Sequence, residues 1–411
     1  MGADISASIE KHSDMKNFIY FQCICIVIIS ISCSQGEKRI LNADTIIYVN
    51  HENINEEVMK HASNYIEDVQ YIPLETSETN LIGNLSKVIL STKYIHIHDN
   101  QTNNLYQFDY DGKYVRKVGN EGNGPNEYIK ISTFSINPET ENIAIYCEVK
   151  QSIIEFTHEG LPISEERVGF VCNDFMYYKN DYLFYGGRSW NKNIFKNTFP
   201  EQYRLVLWGK NEIKENYLPF KYNESLYRTS IASGNNSLYT YNKTRLIEKC
   251  TGIVYELDND ISPVYAIDFG KYTIREDFYS DRNINDNSIQ RIEKSDYCLL
   301  SSLFETDNYV YIYYIVSMYS KYRMIFSCIY SKKINELVNI GPLWVNDIDN
   351  ISMPKVITSY NNNLIGYFDS DNLKTMLVTN KNPLTPRMEE LKETVDDFDN
   401  PIICIIKLKD Y

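Results

Sequence analysis

The densest glycine run in the chain, Gly119-Asn120-Glu121-Gly122-Asn123-Gly124-Pro125-Asn126-Glu127-Tyr128, invites a phosphate-loop reading, because closely spaced glycines let backbone N–H groups approach an anion. Its ending argues otherwise: no Gly-Lys-Ser/Thr closes it, and no helical pattern follows to supply a positive dipole end. It reads as a structural turn. His96 and His98 stand two apart in the alternating stretch Tyr94 to Asp99, which places both imidazoles on one face, a geometry open to a metal. Asp99 is the sole further ligand beside them, so the pair reads as two histidines on a polar strand face, with no metal or other cofactor expected.

Gly186-Gly187-Arg188-Ser189-Trp190 sets an arginine and one of three tryptophans in an irregular segment. Indole stacks on sugar rings and guanidinium grips carboxylates, so Arg188 and Trp190 are the candidate ligand-binding residues. The competing reading is that Trp190 packs between structural units. Carboxylates are scattered along the chain without a spacing that shows which converge, and a GxSxG nucleophile elbow is missing, so the catalytic residues, if any, are unknown.

Cys33 carries chemistry of another kind. From Met15 the chain reads as a lysine, an apolar run from Phe18 to Ile31, then small residues before Cys33. The run is shorter than the ~20 residues that cross a bilayer, so a cleaved secretory signal fits better than a permanent span. Ser32-Cys33-Ser34 resembles the end of a lipobox, with Ser30 where leucine is usual, and makes Cys33 the expected lipid attachment site. Residues 1–14 are polar and read as a start placed too early; 15–32 are then the signal and 33–67 a tether, ending in a short helix near Glu56 to Tyr65.

The elements that must position these residues follow from composition and repeat. With 43% apolar and 13% aromatic residues, including 35 tyrosines, the chain can bury a large core, and its tyrosine and β-branched bias favours strands. A net charge of −14 argues against a nucleic-acid partner. Six cysteines follow Cys33 singly, without CxxC spacing, and read as buried small hydrophobes.

The clearest unit runs from Tyr94 through Leu105 to Phe108, turns at Asp111-Gly112, and returns over Tyr114 to Val118; Asp-Gly tolerates the positive φ of a tight hairpin. Forty-eight residues later Ile143, Ile145, Phe156 and Gly160 repeat Ile95, Ile97, Phe108 and Gly112, a period near that of propeller blades. Weaker copies follow: Asp181 to Gly186 with Tyr203 to Trp208, turning at Lys210-Asn211; Ser237 to Tyr241 with Ile253 to Leu257 and Pro263 to Phe269; and Tyr309 to Val316 with Arg323 to Tyr330. A sixth combines Lys355 to Tyr360, Leu364 to Phe368 and Thr375 to Thr379, and is completed by Pro401 to Leu408. Tyr272 to Tyr297 reads as a polar insertion and Pro383 to Asp396 as a helical one. Residues 68–411 are therefore expected to form an all-β, six-bladed β-propeller of four-stranded antiparallel blades. Val69 to Leu74, limited by Pro73, should pair beside Ile402 to Leu408 and close the ring.

The segments YIPLET, Leu81-Ile82-Gly83, FDYDGKYVRKVG, Gly122 to Tyr128 and NPIICIIKLK resemble the six-bladed β-propeller lipoproteins of Gram-negative gut anaerobes, relatives of NHL-type propellers. The resemblance implies a propeller on a lipidated tether at the outer membrane, and transfers no catalytic residues. The SxDxGxxW box of sialidase propellers is absent. The expected function is a binding or protein-interaction module anchored to the membrane by its lipid and presenting loops to a glycan, a peptide or an envelope protein. The alternative is a polysaccharide lyase or hydrolase with its site at the channel mouth.

Overall fold

The structure, a computed structural model, describes residues 43–50, 61–189, 191–198, 201–221, 236–249, 251–274, 297–316, 324–341 and 346–410. Two strands precede the repeats, β1 (Thr45–Tyr48) and β2 (Ile66–Pro73). The first blade holds β3 (Leu85–Leu90), β4 (Ile95–Asp99), β5 (Asn104–Phe108) and β6 (Tyr114–Lys117); the second β7 (Thr133–Ile136), β8 (Ile143–Cys147), β9 (Ser152–Phe156) and β10 (Pro162–Arg167). The third holds β11 (Asp174–Tyr178), β12 (Asp181–Tyr185), β13 (Glu201–Gly209) and β14 (Glu212–Lys221); the fourth β15 (Leu238–Tyr241), β16 (Lys243–Glu248), β17 (Ile253–Leu257) and β18 (Ile261–Asp268). The fifth holds β19 (Cys298–Glu305), β20 (Tyr309–Val316), β21 (Met324–Ser331) and β22 (Glu336–Gly341). The sixth is β23 (Lys355–Tyr360), β24 (Asn363–Phe368) and β25 (Ile402–Leu408), with β2 as its outermost strand. These sheets make the expected six-bladed propeller.

Burial follows position in the blade. All five residues of β4 and of β8 are buried, because the middle strands are covered on both faces by neighbouring blades, whereas the outermost β10, with sequence PISEER, is almost wholly exposed. Six hydrophobic clusters result among the described residues, each shared by two adjacent blades around the full ring. The repeat is exact in register: Ile95 pairs with Phe108, and Ile143 with Phe156. Gly112 and Gly160 take φ of +78° and +80° in their turns. The side chains of Asp109 and Thr157 each accept two backbone N–H groups of the turn that follows. Lys210 and Asn211, at φ +55° and +62°, form the expected tight turn of the third blade.

Closure runs as the sequence implies. β2 pairs antiparallel with β25, Val69 opposite Ile406 and Tyr71 opposite Cys404, and stops at Pro73 on the open edge. Asn400 then pins the passage into the first blade: its Nδ2 donates to the Glu75 and Asn80 carbonyls at 2.8 and 3.1 Å, and its Oδ1 accepts from Ile82 N–H at 2.8 Å.

Two expectations are corrected. Thr45–Tyr48, inside the segment read as a tether, is a strand that pairs parallel with β18 and gives the fourth blade a fifth member. Thr375 to Thr379 is not a strand but the end of helix α1 (Ser370–Thr379), whose Leu373 and Leu377, one turn apart, are both buried. Together with α2 (Pro386–Thr394), which the helical spacing did indicate, it forms an insertion between β24 and β25. β16 was not recognised, nor were β3, β7, β10, β11, β14, β19 and β22 singled out. Cys147, Cys172, Cys298, Cys328 and Cys404 are free and buried, as their apolar surroundings suggested; Cys250 lies outside the described residues. So do the signal, Cys33, most of the Glu56 to Tyr65 helix and most of the Tyr272 to Tyr297 insertion. Among the described residues no helix is long and apolar enough to cross a membrane.

Candidate functional site

The innermost strands of the six blades all run in one sense. Their turns into the second strands therefore gather on one face of the ring, and the passages from blade to blade gather on the other. Among those first turns lies a cavity of about 580 Å³, within the range usual for small-ligand sites. Thr92, Asn137, Asn242, Asp307, Asn361 and Asn362 line it at the turns; Asn242, Asn361 and Asn362 have φ between +46° and +63°, a conformation their short amides tolerate.

Its inner end is built on Asp174, the first residue of β11, which is fully buried. Lys87 of β3 reaches its Oδ1 at 2.9 Å and also donates to Thr133 Oγ1 of β7 at 3.0 Å. The other oxygen accepts the backbone N–H groups of Asn236, Ser237 and Leu238 at 3.1, 2.8 and 2.9 Å, at the start of β15. One carboxylate thus joins four blades, with every donor charge-assisted.

The wall between the fourth and fifth blades is organised by Glu305, at the end of β19. Its Oε1 accepts from Tyr239 at 2.8 Å and Arg245 Nε at 3.0 Å, its Oε2 from Tyr265 at 3.0 Å and Lys332 Nζ at 2.9 Å. Burial pushes the Glu305 carboxyl up, but Lys332 and Arg245 outweigh it and hold the group below the ordinary glutamate value. Burial and the same carboxylate push the Tyr239 and Tyr265 phenols up, so both stay protonated donors. Arg245 also pairs with Glu256, and Tyr241 donates to Asp307 at 2.6 Å. On the opposite wall Glu141 accepts from the Thr92 backbone and hydroxyl; its slight burial raises its pKa, but these bonds bring it below its ordinary value.

The residues singled out from sequence lie elsewhere. His96 and His98 share a strand, but on a buried face: burial lowers them to about 3 and about 4, and Nδ1 of His96 and Nε2 of His98 have no hydrogen-bond partner. Both are neutral packing residues, each held by a serine, His96 by Ser91 at 3.2 Å and His98 by Ser86 at 2.8 Å. The glycine run joins the first two blades as expected, and its amides are used internally, with Gly124 N–H donating to Glu127 at 2.8 Å and Gly122 N–H to the Tyr128 carbonyl at 3.0 Å. Arg188 follows β12, at the end of the ring away from the first turns, buried with its guanidinium 6.0 Å from the Phe220 ring centre. Trp190 lies outside the described residues.

Sequence reasoning missed Lys87, Asp174, Arg245 and Glu305. Their signal, charged residues set inside or at the ends of apolar strand patterns, carries meaning only once the blades are assembled.

No curated protein matches the sequence. Among solved structures, a protein from Bacteroides fragilis described as exported is similar over 89% of this chain and 100% of its own, with TM-score 0.70 and 18% identity. A member of the DUF4221 family from Bacteroides vulgatus covers 84% of this chain and 98% of its own, at TM-score 0.48 and 12% identity. Residues 44–407, from the start of β1 into the closing strand β25, match the family described as a domain of unknown function, DUF4934, and the chain belongs to that family.

Proposed function

We propose that the protein is a binding module that takes a glycan into the cavity among its first turns. The observation that carries this reading is that, among the described residues, each carboxylate lining the cavity, Glu141, Glu305 and Asp307, already accepts protein hydrogen bonds, while hydroxyls and amides, with the paired Lys87, make up the rest of its polar lining. Hydroxyl and amide side chains both donate and accept, as sugar hydroxyls do. Glycoside cleavage by paired carboxyls needs one of them protonated, and the two whose ionisation is shifted here, Glu141 and Glu305, are shifted toward the charged form. That weighs against the polysaccharide hydrolase reading, and the two buried histidines do not line the cavity.

The test is calorimetric titration of the full chain with neutral glycans and with peptides, following turnover in the same samples. A neutral glycan is expected to bind one to one without being cleaved, and Tyr360→Ala, at the end of β23, to weaken it about tenfold. Binding of peptides alone, or product release, overturns the reading.

The apolar run before Cys33 and the resemblance to NHL-type propeller lipoproteins support a protein held at the cell envelope by a lipid on Cys33, and one structural relative is described as exported. Cys33→Ala is expected to move the protein from the membrane fraction to the soluble fraction; a variant that stays with the membrane removes the anchor from this account.

A further inference from the structure

We infer, on the reading that the cavity binds a glycan, that it receives only the end of an uncharged oligosaccharide and does not thread a chain through the propeller. The first ground is the buried clasp at its inner end. Lys87 and Asn236 line the cavity, and both are tied to Asp174 behind them. Lys87 crosses from the first blade to the third, Thr133 joins from the second, and Ser237 and Leu238 join from the fourth. Lys87 is 5% exposed and Asp174 0%, so the innermost strands of four blades are drawn together where an open channel would have to pass. The cavity has a floor, and about 580 Å³ holds a few sugar rings with the rest of a longer chain outside.

The second ground is charge. Among the described lining residues Lys87 is the one cation, and its ammonium is already paired with Asp174. Lys332, behind the wall, is paired with Glu305 and lies 4.2 Å from the Tyr241 ring centre. Glu141 and Asp307 meanwhile put carboxylates on opposite sides, in a chain whose net charge is −14. A uronate or sulfate entering the cavity meets like charge and, among the described residues, no unpaired ammonium, whereas a neutral sugar offers hydroxyl donors to the same carboxylates.

The experiment titrates the full chain with neutral hexose series of several linkages, each as a tetramer, a long linear polymer and a cyclic form where one exists, and with uronic-acid tetramers. At least one neutral series is expected to bind once per chain, equally for tetramer and polymer, with its cyclic form and the uronates about tenfold weaker or silent. Sites that multiply with polymer length, or a cyclic form bound as tightly as the linear one, overturn the end-on geometry while leaving the glycan reading in place. Failure of every neutral series while peptides bind removes that reading and this inference with it. The paired variant Glu141→Gln, Asp307→Asn is expected to raise uronate affinity about tenfold. An unchanged preference in that variant, with an unchanged melting temperature, shows that wall charge does not select the ligand.

Discussion

Gly112 and Gly160 sit at the same point of successive units with nearly the same positive φ, but their neighbours differ. A Cβ on Gly160 would touch Arg116 Cδ at an ordinary 3.4 Å, while one on Gly112 would run into the Pro73 carbonyl, at the seam where Glu75 N–H donates to Gly112 O at 2.8 Å. Gly160→Ala is therefore expected to cost about 1 kcal/mol, the strain of the turn alone, and Gly112→Ala about 3 kcal/mol or more, read from urea denaturation. Equal losses would show that the seam yields. Asp111-Gly112 was legible as a turn because a hairpin is a local object; its contact with Pro73 was not, because that depends on how the ring closes. The same division holds at His96 and His98. Alternation gave their shared face, but their burial follows from a second blade packed over it, which no spacing within the strand reveals.

Elements such as β5 and β12, apolar runs bounded by turn residues, were legible, whereas several strands were not, and in β16 the cause was charge taken inside. β16, Lys243–Glu248, escaped notice because its sequence KTRLIE reads as a polar loop, yet Arg245 and Glu248 are 8% and 5% exposed and each lies in an ion pair. α1 was misread for the opposite reason: TMLVT has strand-like residues, but Leu373 and Leu377 are buried while Thr375 between them is exposed, whereas a strand would put all three on one face. The seam held by Glu305 makes the hidden charges measurable. Glu305→Gln leaves Arg245 and Lys332 facing a neutral amide, and about 3 kcal/mol of stability is expected to be lost at pH 7. Because the folded carboxyl sits below its ordinary 4.5, its stabilisation is complete above that value and is lost as pH falls through the folded one. The gap between wild type and variant should narrow in acid; a constant gap would place the stabilisation in packing instead of charge.

For the whole molecule, the ring and its closure were the most legible features, since the segments near both termini lacked partners within the repeat. Removal of residues 400–411 takes away β25 and Asn400, and with them the strand neighbour of β2 and the pin on the passage into the first blade. A sharp drop in melting temperature is expected from thermal scans, and an unchanged one would mean that the ring does not depend on its clasp. The two faces of the ring were not legible, because which turns share a face emerges only when all innermost strands run in one sense. The clasp also fixes an order in time. Lys407 and Glu67, paired across it at 2.9 Å, are 340 residues apart in the chain, so the pairing with the greatest loop to close can form only after the last strand has left the ribosome. Until then β2 has no partner and the sixth blade waits with an open edge, which makes the interval between the end of synthesis and ring closure the stage at which this chain is most exposed to mispairing with another copy of itself.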